Sequence, residues 1–136
     1  MLDVACATGY STVVISKLAR SVVALEQDAD LVRIAADMVP ASGAINATVV
    51  QGGLTEGFKG RAPYNVILIN GAVEAVPDAL LKQLAESGRL AAVVRSGSMG
   101  RARLYVREKG SIGSRDDFDS GTPLLAGFRK VVGFVF

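Results

Sequence analysis

Residues 2–12 read LDVACATGYST, and residues 22–28 read VVALEQD. In the first stretch the apolar run Leu2 to Cys6 passes through the small residues Ala7, Thr8 and Gly9. It then enters a segment, Tyr10 to Ala19, whose Val13, Val14 and Leu18 have helical spacing. The pattern predicts a strand, a tight turn and a helix. In the second stretch the apolar run Val22 to Leu25 ends on Glu26, and Asp28 stands where it caps a helix carrying Leu31, Ile34, Ala35 and Met38 on one face up to Pro40. The alternation continues with a strand at Ala47 to Val50, a Gly-rich loop over 52–60 and a strand at Asn65 to Ile69. A helix from Pro77 through Leu84, closed by Gly88, and a strand at Arg89 to Val94 follow. Two alternating segments, Ala102 to Glu108 and Val131 to Phe136, then predict an antiparallel hairpin on the sheet edge, with Gly110 to Gly121 as a loop. The expected fold is α/β, a doubly wound, mostly parallel sheet with antiparallel C-terminal strands, in one domain over residues 1–136.

Composition removes whole classes of chemistry. The 136 residues include no histidine and a single cysteine, which excludes a Ser-His-Asp triad, a Cys-His dyad, a Cys/His zinc site and an internal disulfide. Cys6, with no histidine to activate it, reads as a small buried apolar residue rather than a nucleophile. The acidic run Asp116, Asp117 and Asp119 lacks metal-ligand spacing and reads as a solvated turn, so no metal is expected. No apolar run reaches the roughly 18 residues that span a bilayer, and Asp3 stands where a signal peptide would be positive, so a soluble cytoplasmic protein without a membrane partner is expected. Net charge is +2, with balances of −3 over residues 1–86 and +5 over 87–136. Arg101, Arg103, Arg107 and Lys109 form a basic stretch that reads as the solvated side of an edge strand rather than a nucleic-acid surface.

In an open α/β sheet, ligands sit beyond the carboxyl ends of the strands, so the first strand-to-helix turn is the place to look. Glu26 closes the second strand about twenty positions after that turn. An ionised carboxylate only accepts hydrogen bonds, and its two oxygens suit the two hydroxyls of a ribose. Turn and acid together indicate a nucleoside cofactor. Asp3, Ala5, Ala7 and Gly9 fall in the D/E-x-G-x-G-x-G register of S-adenosylmethionine enzymes rather than the G-x-G-x-x-G register of dinucleotide enzymes.

Residues 51–90 read QGGLTEGFKGRAPYNVILINGAVEAVPDALLKQLAESGRL. With this stretch the chain resembles the class I, Rossmann-like S-adenosylmethionine-dependent methyltransferases, and more closely the protein-L-isoaspartate O-methyltransferase family, from residue 1 to about 95. The resemblance implies S-adenosyl-L-methionine as cofactor and methyl transfer to the carboxylate of L-isoaspartyl residues in damaged proteins or peptides. It implies that Asp3 orients the methionine amino group, that Ala5, Ala7, Thr8 and Gly9 face the methionine moiety, and that Glu26 holds the ribose. Gln27, with Gly52, Gly53 and Leu54, would border the adenine. Asn70, Gly71 and Ala72 would face the reacting methyl group.

Three departures accompany the likeness. Ala5 and Ala7 stand where the family prefers glycine, and Gly53 where it usually has an aspartate. The family's N-terminal helical segment before the first strand is missing from residues 1–136, leaving an apolar surface that is either exposed or covered by a second copy of the chain as a homodimer. The alternative implied by these departures is a catalytically silent module that keeps the fold and binds cofactor weakly or serves in interaction.

Overall fold

In a computed structural model, which describes residues 1–120 and Leu125, seven strands form one sheet in the order β3-β2-β1-β4-β5-β6-β7. The elements are β1 (Leu2–Val4), α1 (Tyr10–Ser16), β2 (Val22–Glu26), α2 (Ala29–Ala41), β3 (Ala47–Gln51), β4 (Tyr64–Val73), α3 (Asp78–Leu81), β5 (Leu84–Ser96), β6 (Met99–Glu108) and β7 (Ser111–Asp119). Strands β1 to β5 pair in parallel, and β5, β6 and β7 pair antiparallel. All five residues of β2 are buried, as a central strand covered on both faces requires. On one face, Leu2, Val4, Val23, Leu25, Ile67 and Leu90 pack with Leu54 and with Leu80 of α3. On the other, Ala35 and Val39 of α2 pack against Ala44, Val13, Ala47 and Val49. The sheet is doubly wound, and its order reverses between β1 and β4, the place where sheets of this kind receive ligands beyond the carboxyl ends of their strands.

Local chemistry explains both the agreements and the corrections. The Asp28 carboxylate caps α2, accepting the Asp30 and Leu31 amides at 2.9 and 3.1 Å. Helix α1, however, buries Thr12 and Ile15, whereas Val14 is about half exposed and Leu18, just beyond the helix, is 86% exposed. Its polar pair turns inward because the Ser11 and Thr12 hydroxyls donate to Asp3. Helix α3 ends at Leu81 rather than Leu84, because the Gln83 side chain takes the Ala79 carbonyl at 3.0 Å and the Gln83 carbonyl accepts the Tyr64 amide at 2.7 Å. Gly88 therefore lies within β5 and closes no helix. The Gly-rich stretch 52–60 contains short 3₁₀ turns at Leu54–Glu56 and Lys59–Arg61.

The stretch expected as a loop after Gly110 is strand β7, outermost among the described strands, and the basic stretch lies on its neighbour β6. The acidic run explains both. Arg103 pairs with Asp116 at 2.6 Å and Arg101 with Asp119 at 3.4 Å, so cross-strand charges hold the hairpin. The strand expected at Val131 to Phe136 lies outside the described residues. No described helix is long and apolar enough to cross a membrane.

Candidate functional site

Two carboxylates stand on neighbouring strands, Asp3 in the middle of β1 and Glu26 at the end of β2. Asp3 lies in β1 between Leu2 and Val4, and strand alternation turns it to the opposite face, toward α1. It is 0% exposed. Its Oδ2 accepts the Thr12 hydroxyl at 2.7 Å and the Ser11 hydroxyl at 2.9 Å, and its Oδ1 accepts the Asn70 amide. The same amide donates to the Ser11 hydroxyl at 3.2 Å, so β1, α1 and β4 meet at one polar cluster. Burial pushes the Asp3 carboxyl above the ordinary range, opposed by the hydrogen bonds from Thr12, Ser11 and Asn70.

Glu26, 5% exposed, closes β2. Its Oε1 accepts the Ala7 N–H at 3.0 Å, and its Oε2 accepts the N–H groups of Gln27 and Asp28 at 2.8 and 3.0 Å. The Ala5 and Cys6 amides both reach the Leu25 carbonyl, at 2.9 and 3.1 Å, and the Gly9 amide closes the turn on the Cys6 carbonyl at 2.8 Å. The acid therefore touches the first turn, as its spacing predicts. A carboxylate offers about four acceptor positions, so three N–H groups leave room for one hydroxyl. The donor set fits a nucleoside sugar to that extent.

The turn's backbone is unusual. Gly9 has φ 95° at the start of α1, and a β-carbon there would overlap the Val39 side chain, so only glycine serves. Ala5 and Ala7 have φ 67° and 51°. An alanine in this left-handed region is strained by about 1–2 kcal/mol. Replacement by glycine returns about 0.4–1 kcal/mol of that to the unfolded chain as entropy. Ala7→Gly is expected to raise stability by about 1 kcal/mol, read as a higher urea midpoint at unchanged slope. Ala5→Gly should gain less, because the Ala5 methyl packs in the main core.

The remaining predicted residues divide into three groups. Thr8 is exposed in the turn. The Gly52 amide bonds the Glu26 carbonyl at 3.1 Å and the Gln51 side chain reaches the Gln27 carbonyl at 3.3 Å, so the structure brings Gln27, Gly52 and Gly53 beside Glu26, with Leu54 buried beneath. Asn70 joins the Asp3 cluster, but its two neighbours do not. Ala72 is 0% exposed and pairs with Val93, and Gly71 lies beneath the Leu125 side chain. The cause is an irregularity between Leu68 and Ala72 that lets β4 continue to Val73 instead of ending at Ile69. Ser11 and Thr12 were not singled out from sequence; a hydroxyl pair opening the helix after a buried acid is the signal that points to them. Cys6 is buried, and its thiol is pushed up to about 12 by burial and by the charges of Asp3 and Glu26, so it carries no thiolate at neutral pH.

This arrangement, an open parallel sheet reversing between β1 and β4 with carboxylates on β1 and β2, is the fold of the class I methyltransferases. The chain superposes with a TM-score of 0.85 on a protein-L-isoaspartate O-methyltransferase at 24% identity, covering 93% of this chain and 41% of that one. It superposes with a TM-score of 0.78 on a Plasmodium falciparum chain assigned to the same activity and crystallised with S-adenosyl-L-homocysteine, at 18% identity, covering 91% of this chain and 64% of that one. The family model for protein-L-isoaspartate (D-aspartate) O-methyltransferase matches residues 1–119. The Koribacter versatilis enzyme of that name is 38% identical over 109 residues, 80% of this chain and 48% of the relative. A second, from Pelobacter propionicus, is 32% identical over 133 residues, 98% of this chain and 57% of the relative. The chain belongs to the protein-L-isoaspartate O-methyltransferase family. It spans about half the length of these curated relatives.

Proposed function

We propose that this chain carries the cofactor-binding core of an S-adenosyl-L-methionine-dependent O-methyltransferase whose acceptor is the carboxylate of L-isoaspartyl residues in proteins. The observation that supports it best is the contact of Glu26, at the end of β2, with the Ala7 amide of the first turn, with the buried Asp3 cluster on the adjacent strand β1. When bound, the cofactor supplies an electrophilic methyl group. Glu26 holds the sugar through its remaining acceptor position, and Asp3, fully buried behind Ser11, Thr12 and Asn70, supplies negative charge beneath the methionyl ammonium. Gly52 to Leu54 border the base, and Asn70, held by Asp3 and Ser11, stands where the sheet order reverses between β1 and β4.

The chemistry of this acceptor asks for no histidine. A carboxyl group with pKa near 4 is ionised at neutral pH, so no general base is needed, and the protein's task is to hold two reactants in line. Calorimetric titration with S-adenosyl-L-homocysteine should give saturable binding at micromolar concentrations. Labelled methyl should pass to an isoaspartyl peptide and not to its aspartyl isomer. Absence of binding would replace this reading with that of a fold retained without its cofactor, and methylation of RNA instead of the peptide would reassign the acceptor.

A further inference from the structure

We propose that Glu56 selects the base of the bound nucleoside, accepting a hydrogen bond from an exocyclic amino group; this rests on the nucleoside reading above. Strand order sets the direction in which such a ligand lies. With the sugar at the end of β2, its amino-acid end runs toward Asp3 and Asn70 on β1 and β4, and the base falls on the β3 side, where Gly52 bonds the Glu26 carbonyl. That side begins with two residues that carry no side chain. A β-carbon at Gly52 would meet the Leu25 side chain at 3.2 Å, so its floor is apolar. At Gly53 the corresponding space is taken by Glu56, whose carboxyl carbon and Oε2 lie 3.4 and 3.5 Å from where a β-carbon would be. Glu56 thus supplies, from three residues away, the carboxylate that Gly53 itself lacks.

The turn that presents Glu56 is held in place. Buried Gln83 donates to the Glu56 carbonyl at 2.8 Å and accepts the Phe58 amide at 3.1 Å. Gly57, at φ 66°, passes so close that a β-carbon there would lie 2.6 Å from the Gln83 side-chain oxygen. Among the described residues the Glu56 carboxylate has no hydrogen-bond or ion-pair partner, so its acceptor positions are open. An ionised carboxylate accepts and never donates. It favours a base bearing an amino group at its edge and repels one bearing a carbonyl there.

The test titrates the full chain, Glu56→Gln and Glu56→Ala with S-adenosyl-L-homocysteine and with its 6-oxo counterpart, S-inosyl-L-homocysteine. The wild-type chain should prefer the adenosyl compound by about tenfold. Glu56→Gln should lose the preference, because a carboxamide can turn either its N–H or its carbonyl to the base. Glu56→Ala should weaken adenosyl binding without weakening inosyl binding. Glu56 is exposed, so both variants should unfold at the wild-type urea midpoint. Equal preference in the wild type and both variants, or none in the wild type, would overturn the role of Glu56 and leave the nucleoside reading standing. Failure of either compound to bind any of the three would overturn both.

Discussion

Glu26→Ala is expected to lower stability by roughly 2 kcal/mol, less than about 1 kcal/mol for each of the three part-buried N–H groups that lose their acceptor, and to weaken S-adenosyl-L-homocysteine binding at least about a hundredfold. The Ala7, Gln27 and Asp28 amides all converge on this carboxylate. Ala7, Gln27 and Asp28 are all exposed residues, so water recovers part of the loss at each. The stability and binding losses share one cause, because the group that shapes the first turn is the group offered to the sugar. Glu26→Gln separates them. Its carbonyl oxygen serves one side of the former carboxylate while its amide faces an N–H on the other, so it should lose about 1–2 kcal/mol of stability and most of the binding. Urea midpoints and calorimetry read the two effects independently. A Glu26→Ala chain that unfolds at the wild-type midpoint would show that the turn does not depend on the acid.

The order of elements and the meeting of Glu26 with the turn were legible because each depends on neighbours in sequence. Continuous apolar runs, an Asp cap and an acid at a strand end are local signals. The misreadings arose where a partner distant in sequence overrode the local pattern. Val13, Val14 and Leu18 have helical spacing, yet Asp3 draws Ser11 and Thr12 inward and turns Leu18 to solvent. Leu84 has helical neighbours, but its register with Tyr64 places it in β5. Residues 111–119, rich in Ser, Gly and Asp, form a strand by pairing along β6, where arginines stand opposite two of the aspartates. Gly71 and Ala72, which the resemblance sets toward the reacting methyl group, lie under Leu125 and within the sheet because β4 runs on past Ile69.

Asp3 gives the second large effect and a pH signature of its own. Asp3→Ala leaves the Ser11 and Thr12 hydroxyls and the Asn70 amide without their acceptor and is expected to destabilise by roughly 2–3 kcal/mol. Asp3→Asn should fold, because its carbonyl can accept the Asn70 amide while its own N–H groups donate to hydroxyls free to rotate. It should nevertheless lose cofactor-analogue binding by about a hundredfold, since it offers no charge to an ammonium group. The pH dependence follows from burial. Because the folded-state value of Asp3 is raised, the folded chain keeps a proton that the unfolded chain has already released over the interval between the two values. Stability contributed at this site therefore falls as pH rises through that interval, and the loss is complete above the folded value. Asp3→Asn has no such group, so its stability relative to wild type should increase with pH across the interval and level off above it. Chemical denaturation of both chains at a series of pH values measures that difference directly. A difference that shrinks as pH rises would mean the three hydrogen bonds outweigh burial and that the Asp3 carboxylate is stabilised in the fold.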